Sequence, residues 1–239
     1  MSLNKNHAPS CSLCQNKQNG TSIFCCLNND ELEALSLGKR NMTFKRGQVI
    51  FSEGNQPHGV YCIHSGKVKI HKMGDEGKEQ IVRLANTANI IGYRSVLNSN
   101  SYYASATAIE DTEVCFISKL TIVNLIKTNS NFSFSLLDLL SDDLKRAEEK
   151  ITHMAQKHVR ERIAEAILLL HEAYGLKADN QTIDSNLTRK EIANIAGTTT
   201  ETSIRILSEF QKDHIIELVG KEIRILDIKK LFKTANIFD

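Results

Sequence analysis

At 239 residues the chain has room for one large or two small domains, and for a core that needs no disulfide staples. Hydrophobic residues make up 41% of it and the formal net charge is +2, so bulk charge does not advertise a nucleic-acid or membrane partner. It contains no run of about 18 apolar residues, which excludes a spanning helix, and its opening MSLNKNHAPSCSLC lacks the apolar centre of a secretory signal. A cytoplasmic protein is expected, with its six cysteines reduced.

Four of the six cysteines, Cys11, Cys14, Cys25 and Cys26, fall in the first 26 residues. Cys11-Ser-Leu-Cys14 is a Cys-x-x-Cys, a spacing that lets one turn offer two thiolates to a metal or a cluster. A polar, turn-rich stretch and Ile23-Phe24-Cys25-Cys26 follow. A helix is expected from about Asn28, with Asp30, Glu31 and Glu33 near its positive end. From Met42 to Ile117 the hydrophobic period shifts towards two. FKRGQVIFSEG, GVYCIHSGKVKIHKM, KEQIVRLA and ATAIEDTEVCFI read as short strands, punctuated by Gly47, Gly54, Gly59, Gly66, Gly74, Gly77 and Gly92. Short strands at this spacing predict an antiparallel roll or barrel. A ligand pocket inside it does not follow from spacing alone.

The next segment, about Asn131 to His158, is predicted as one long helix. Leu137, Leu140, Leu144, Ala147, Ile151 and Met154 recur at alternating steps of three and four, an a/d seam for self-association. Its flanks are charged, from Asp142 to Lys150. The other reading of the stripe is a core helix buried against its own domain. A second amphipathic helix, His158 to Tyr174, is stopped by Gly175, and a loose polar stretch, Lys177 to Asn186, leads on.

Two short helices joined by a tight turn come next. The first begins at Thr188, with Glu191 three residues on as a capping-box partner. Ile192 and Ile195 give it an apolar face, Ala193 and Ala196 permit close approach, and Gly197 ends it. The second is capped by Thr198 or Thr199 and runs to about Lys212, with Ile204, Leu207 and Phe210 expected as its buried stripe. Its other face shows Thr200, Glu201, Ser203 and Arg205. Arg205 can present a fork to guanine O6 and N7, and Glu201 can accept from a cytosine amino group. This is a helix-turn-helix with a recognition helix; taken alone, it also reads as an ordinary solvated helix pair. IIELVGKEIRILD is a hairpin turned at Gly220-Lys221, a wing, and a short helix from Ile228 to Thr234 closes the chain. From Lys157 to Asp239 there are thirteen Lys and Arg against thirteen Asp and Glu, so DNA binding must rest on local geometry and on symmetry.

A strand-rich roll, a long seam helix and a winged helix-turn-helix, in that order, resemble the CRP/FNR family of bacterial transcription regulators. The residues carrying the likeness are FKRGQVIFSEGNQPHGVYCIHSGKVKIHK, NIIGYRSVL and EIANIAGTTTETSIRILSEFQK, and it covers nearly the whole chain from about Asn28. It implies an α+β fold: an N-terminal antiparallel β-roll of the cyclic-nucleotide-binding jelly-roll kind, a long dimerisation helix and a C-terminal winged helix-turn-helix. The segments are 1–27 for the cysteines, 28–130 for the effector roll, 131–158 for dimerisation and 159–239 for DNA binding. It also implies a homodimer on a palindromic double-stranded site, with recognition helices in two major grooves about one helical turn apart. RNA polymerase is a partner where the protein activates. The family's Glu-x-x-x-Arg pair falls on Glu201 and Arg205, and the candidate DNA contacts are Arg189, Thr199, Thr200, Glu201, Ser203 and Arg205. The FNR branch has a serine just before that arginine; here the position is Ile204.

In the cyclic-nucleotide branch a Gly-Glu and an Arg-Ser hold the ribose and phosphate. Those positions fall here on Gly92-Tyr93 and Tyr102-Tyr103, which removes both charged groups and argues against cyclic AMP. The likeness is closer to the FNR branch, whose oxygen sensors hold an iron–sulfur cluster with an N-terminal cysteine group and one cysteine of the roll. By that resemblance Cys115 is the distant ligand, Cys11 and Cys14 supply two more, and Cys25 or Cys26 completes the set; Cys11, Cys14, Cys26 and Cys115 are the candidate ligands. Ten residues separate Cys14 from Cys25, a longer gap than that branch has. Zinc or other thiol chemistry, or no cofactor at all, remain open readings of the same residues. Cys62 is expected to be a small core hydrophobe. The eight histidines show no ligand-type spacing.

The reading is a sequence-specific DNA-binding regulator switched through its N-terminal half. The alternative is a small-molecule sensor whose C-terminal domain contacts protein. An enzyme is not expected: there is no nucleophile elbow, phosphate loop or His-Glu-x-x-His.

Overall fold

The computed structural model describes residues 10, 11, 14, 22–74, 76–98, 100–185 and 187–237. Residues 15–21 of the polar stretch, and most of the 1–27 segment, therefore lie outside the described residues. By its contacts the chain divides into two compact units: Met1–Ile70 with Ala85–Leu144, and His71–Leu84 with Lys145–Asp239.

In the first unit a turn of 3-10 helix, Ile23–Cys26, precedes α1, Asn29–Gly38. The start of α1 follows from a reciprocal cap. Asn28 Oδ1 accepts from Glu31 N and Glu31 Oε2 accepts from Asn28 N, both at 2.9 Å. The strands of the roll are β1 Arg40–Phe44, β2 Val49–Phe51, β3 Gly59–Ser65, β4 Val68–Met73, β5 Glu79–Ala85, β6 Ile90–Ile91, β7 Ser105–Ala108 and β8 Thr112–Ser118, of which the end of β4 and nearly all of β5 are counted with the second unit. They form two four-stranded sheets, in the orders β1-β8-β3-β6 and β2-β7-β4-β5. That is the roll the period of two predicts. Gly59 is not a turn residue but opens β3. A Cβ there would sit 2.1 Å from the Ile117 carbonyl oxygen, so only glycine lets β3 lie this close to β8.

Two helices of this unit are not signalled by the hydrophobic pattern: α2, Tyr93–Asn98, and α3, Lys119–Thr128. Thr121, Ile122, Val123 and Ile126 give α3 the β-branched look of a strand. A local cap and burial override it: Ser118 Oγ accepts from Thr121 N at 3.1 Å, and Ile122 and Leu125 are buried. The long helix α4, Ser130–Gln156, starts where Asn129 Oδ1 accepts from Phe132 N at 2.9 Å, while the Asn129 amide donates to Glu31. The core lies between the outer face of the first sheet and these helices. Val60, Ile90 and Ile117 meet Leu32, Leu35, Ile122, Leu125, Phe132 and Leu136, and Phe24 stacks on Phe132 at 5.6 Å. Each such side chain, fully buried, stabilises by about 1.5–3 kcal/mol.

The second unit centres on α5, Val159–Tyr174, in which Ile163, Ala164, Ala166, Ile167, Leu168 and Leu170 are all buried. Around it are α6 Arg189–Ala196, α7 Thr200–Lys212, the hairpin β9 Ile216–Val219 with β10 Glu222–Ile225, and α8 Ile228–Thr234. The 177–185 stretch is not loose. Asp179 accepts from Gln181 N, Thr182 N and Thr182 Oγ1, which closes a turn. Single bridges then join Leu176 to Ile183 and Thr182 to Arg224. Among the described residues, no helix is long and apolar enough to cross a membrane.

Candidate nucleic-acid interface and candidate thiol site

The helix pair forms as its local signals direct. Glu191 N donates to Thr188 Oγ1 at 3.3 Å and Thr188 N donates to Glu191 Oε2 at 2.8 Å, which fixes the start of α6. Gly197, at φ 63° and ψ 51°, ends it in the left-handed conformation. Thr199 Oγ1 accepts from Thr202 N at 3.2 Å and starts α7.

The buried stripe of α7 differs from the expectation. It consists of Ser203, Ile206, Leu207 and Phe210, while Ile204 is 49% exposed against 3% for Ile206. Three-residue steps carried from Ile204 to Phe210 drift around the helix, whereas 203, 206, 207 and 210 keep one face. Ser203 is therefore corrected from reading residue to core residue. Its hydroxyl is buried without a hydrogen-bond partner among the described residues.

The outward face keeps Glu201, Ile204 and Arg205 exposed at the N-terminal half of α7, beside half-buried Thr200 and the capping Thr199. Arg205 Nη1 donates to Glu209 Oε1 at 2.6 Å. An exposed pair of this kind is worth about 0–1 kcal/mol, so the guanidinium can leave it for a base at little cost. Arg189 is spent differently from the expectation. Half-buried, it donates through Nη2 to the Gly220 carbonyl at 3.1 Å and braces α6 against the hairpin turn, with burial lowering its pKa.

Two positioning residues carried no motif in the sequence. Arg160 donates to Glu209 at 2.8 Å and to Asp213 at 2.6 Å, and its guanidinium lies 4.7 Å from the Phe210 ring centre. It ties α7 to α5. Arg162 donates through Nε to the Ala196 carbonyl at 3.0 Å and through Nη1 to the Met154 carbonyl at 3.2 Å. It thereby satisfies a carbonyl at the C-terminus of α6 that the helix itself cannot. An arginine one turn into the helix before such a pair is the available signal.

On α4 the described burial separates the seam residues. Leu137, Leu144 and Ile151 are 59%, 61% and 70% exposed, and Ala147 is exposed as well. Leu140 is partly buried against the first unit's core, and the Met154 side-chain end lies against Gly197. The only buried residues of α4 are Phe132, Leu136 and Asp143. Asp143 accepts from the Tyr93 hydroxyl and pairs with Arg94 at 2.5 Å. Of the two tyrosines that replace the Arg-Ser, Tyr103 is exposed. Tyr102 is buried and stacks on Phe51 at 4.1 Å, beside a cavity of about 300 Å³ also lined by Asn55, His58 and Tyr61.

Two of the thiols stand on the first sheet. Cys62 of β3 and Cys115 of β8 are direct partners in the strand register. Burial pushes the Cys62 thiol up to about 12; the neighbouring thiols Cys115, Cys14 and Cys11 add to this and Lys39 opposes it. The Cys115 thiol is also raised, first by burial. It donates to Asn41 Oδ1 at 3.5 Å. Cys14 Sγ lies 4.0 Å from His64 Nδ1, and Cys11 N donates to Ser36 Oγ at 2.7 Å. Cys26 donates to the Ile23 carbonyl at 3.2 Å. Among the described residues, no three His, Cys, Asp or Glu side chains converge closely enough to hold one metal ion. An iron–sulfur cluster places its thiolates around several metal ions rather than one. Thiols are the donor type such a group takes, and Cys62 and Cys115 stand on one sheet face.

Comparison with known proteins agrees with this architecture. Residues 41–129 match the family of the cyclic nucleotide-binding domain, and residues 161–234 match the Crp-like helix-turn-helix domain. Electron transport regulator A of Shewanella oneidensis is 30% identical over 235 residues, 95% of this chain and 94% of its own length. The fumarate and nitrate reduction regulatory protein of Yersinia pestis is 29% identical over 232 residues, 96% of this chain and 90% of its own. Transcriptional activator protein Anr of Pseudomonas protegens is 28% identical over 237 residues, covering 98% and 94%. The solved structure of FixK2 from Bradyrhizobium japonicum shares the fold with a TM-score of 0.74 at 21% identity, over 82% of this chain and 96% of that one.

Proposed function

We propose, because the chain belongs to the CRP/FNR family of DNA-binding transcription regulators, that it acts as a homodimer whose two α7 helices read a palindromic double-stranded site, under control of the thiols of its N-terminal half. The observation that carries the dimer is the bare apolar stripe of α4. Leu137, Leu144 and Ile151 stand seven residues apart and are each more than half exposed, on a helix whose flanks are charged. A second copy supplies the same stripe across a two-fold axis, which is the seam such spacing builds. The same symmetry presents two copies of Glu201 and Arg205 to two half-sites, so the neutral charge of the domain is no obstacle to specific binding. RNA polymerase is the further partner where the bound dimer activates.

For the signal, the reading is oxygen or redox response in the cytoplasm. An iron–sulfur cluster, when bound, supplies one-electron redox chemistry and reactivity towards oxygen. The chain's own part is to hold the candidate ligand thiols Cys11, Cys14, Cys26 and Cys115, the last of them on β8, from which α3 leads on to α4. A signal shifts the DNA-binding state only through different affinity for two global states. Cyclic AMP does not fit this role: Tyr102 and Tyr103 offer no cation to a phosphate, and Arg94 is committed to Asp143.

Sedimentation velocity of the full chain, with and without Leu144→Glu, tests the dimer. Wild type sediments as a dimer, and the variant, which sets like charges on the seam, shifts towards monomer. An unchanged profile for the variant refutes the seam. Air exposure of protein prepared without oxygen tests the signal: DNA affinity changes on exposure, and an affinity indifferent to oxygen refutes redox control.

A further inference from the structure

We propose that Ile204 is a specificity-determining residue of α7, which reads the 5-methyl group of a thymine in the major groove beside the base pair that Arg205 contacts. This deepens the DNA-reading function above and rests on it. Hydrophobic spacing along the sequence assigns Ile204 to the buried stripe, and the structure turns it outwards, 49% exposed. It shares the outward face with Glu201, Arg205 and Ser208, all exposed, at steps of three and four residues that keep to about 100° of arc. Among the described residues, Ile204 is the one large apolar side chain of α7 that stands exposed. A lone exposed isoleucine elsewhere on a surface needs no explanation. Here it lies between the two groups suited to base edges, in the N-terminal half of the helix, the part that a recognition helix lays against the bases.

Its neighbours and its shape narrow what it can read. Ser208 donates its hydroxyl back to the Ile204 carbonyl at 2.9 Å, so that group bonds its own helix. Helical side chains lean towards the N-terminus, which carries the isoleucine over the turn that holds Glu201. Its β-branch keeps χ1 in one favoured rotamer, so little side-chain freedom is lost on contact. Isoleucine neither donates nor accepts a hydrogen bond. Set against guanine N7 and O6, adenine N7 and N6 or the cytosine amino group, it would strip water from polar edges and return nothing. Thymine alone presents an apolar group in the major groove, its C5-methyl. Where a serine would bring a hydroxyl to this position, Ile204 brings methyl contact, and the half-site it selects carries a thymine there.

The test uses the full chain and the palindrome it selects from random DNA. Each symmetry-related pair of thymines is replaced in turn by deoxyuridine, which deletes the methyl and leaves the base pairing and O4 in place. Affinities of wild type and Ile204→Ala are measured on every duplex at fixed salt. At one thymine position wild type is expected to lose about fourfold per half-site, the worth of one buried methyl group. Ile204→Ala is expected to bind the thymine duplex more weakly than wild type does and to bind the thymine and uracil duplexes alike. A merely structural role for Ile204 would weaken both duplexes equally and leave the effect of the methyl intact. A selected half-site without thymine, a wild type indifferent to uracil at every position, or an Ile204→Ala protein that keeps the wild-type loss at the sensitive thymine overturns the assignment. A chain that selects no duplex at all overturns the DNA-reading function itself, and that result is read before any variant is made.

Discussion

The DNA-facing helix pair and the thiol face are built in opposite ways. The first comes from one stretch, Thr188 to Lys212, in which each N-cap partner lies three residues on and the exposed groups ride on a single helix. The second draws on distant segments: a strand register sets Cys62 opposite Cys115, and Cys11 is bonded to α1 through Ser36. A site on one helix can change its reading residues without disturbing the fold. A site assembled from distant segments moves when its supports move, which is what a sensor needs and a reader of bases does not. The clamps fit this division: Arg160 and Arg162 fasten α7 and α6 to α5 with charged hydrogen bonds.

This contrast can be strained at graded points. Phe210→Ala removes the fully buried ring beneath Arg160 and should destabilise the second unit by about 3–5 kcal/mol in urea denaturation; a loss under about 1 kcal/mol would mean that α7 is not seated as described. Thr188→Ala breaks the reciprocal cap of α6 and should cost about 0.5–2 kcal/mol. DNA affinity should fall only as far as folding does, and a larger fall would make Thr188 a DNA contact as well. Ser203→Ala deletes a buried hydroxyl with no partner among the described residues, so stability should stay within about 0.5 kcal/mol and DNA affinity should not change. A selective loss of DNA binding in that variant would return Ser203 to the reading face.

Most of the helix pair was legible in the sequence because its determinants are local. Thr188 with Glu191, Gly197 and Thr199 each act on neighbours, and the structure uses each as read. What failed was the phase of α7. At about 100° per residue, two successive three-residue steps from Ile204 to Phe210 leave a drift of roughly 120°, so the two cannot share a buried stripe. Small, polar Ser203 hid the true one. Helix α3 was missed because β-branched residues dominate it and only its Ser118 cap spoke for a helix. The thiol face was half legible. The Cys-x-x-Cys and the strand positions of Cys62 and Cys115 can be read along the chain, but the pairing of β3 with β8 joins residues far apart in sequence, and no local pattern encodes it.

The central claim is that α7 reads bases through Arg205, and its most direct test is DNA binding by Arg205→Ala. Duplexes selected by wild type from random DNA provide the cognate palindrome, and affinities are measured on it and on its single-base-pair variants at fixed salt. Arg205→Ala should lose about 1–3 kcal/mol on the cognate duplex and discriminate less at one symmetry-related pair of positions, leaving the others as they were. Equal loss on every duplex, with discrimination intact, would reduce Arg205 to a phosphate contact and contradict the account.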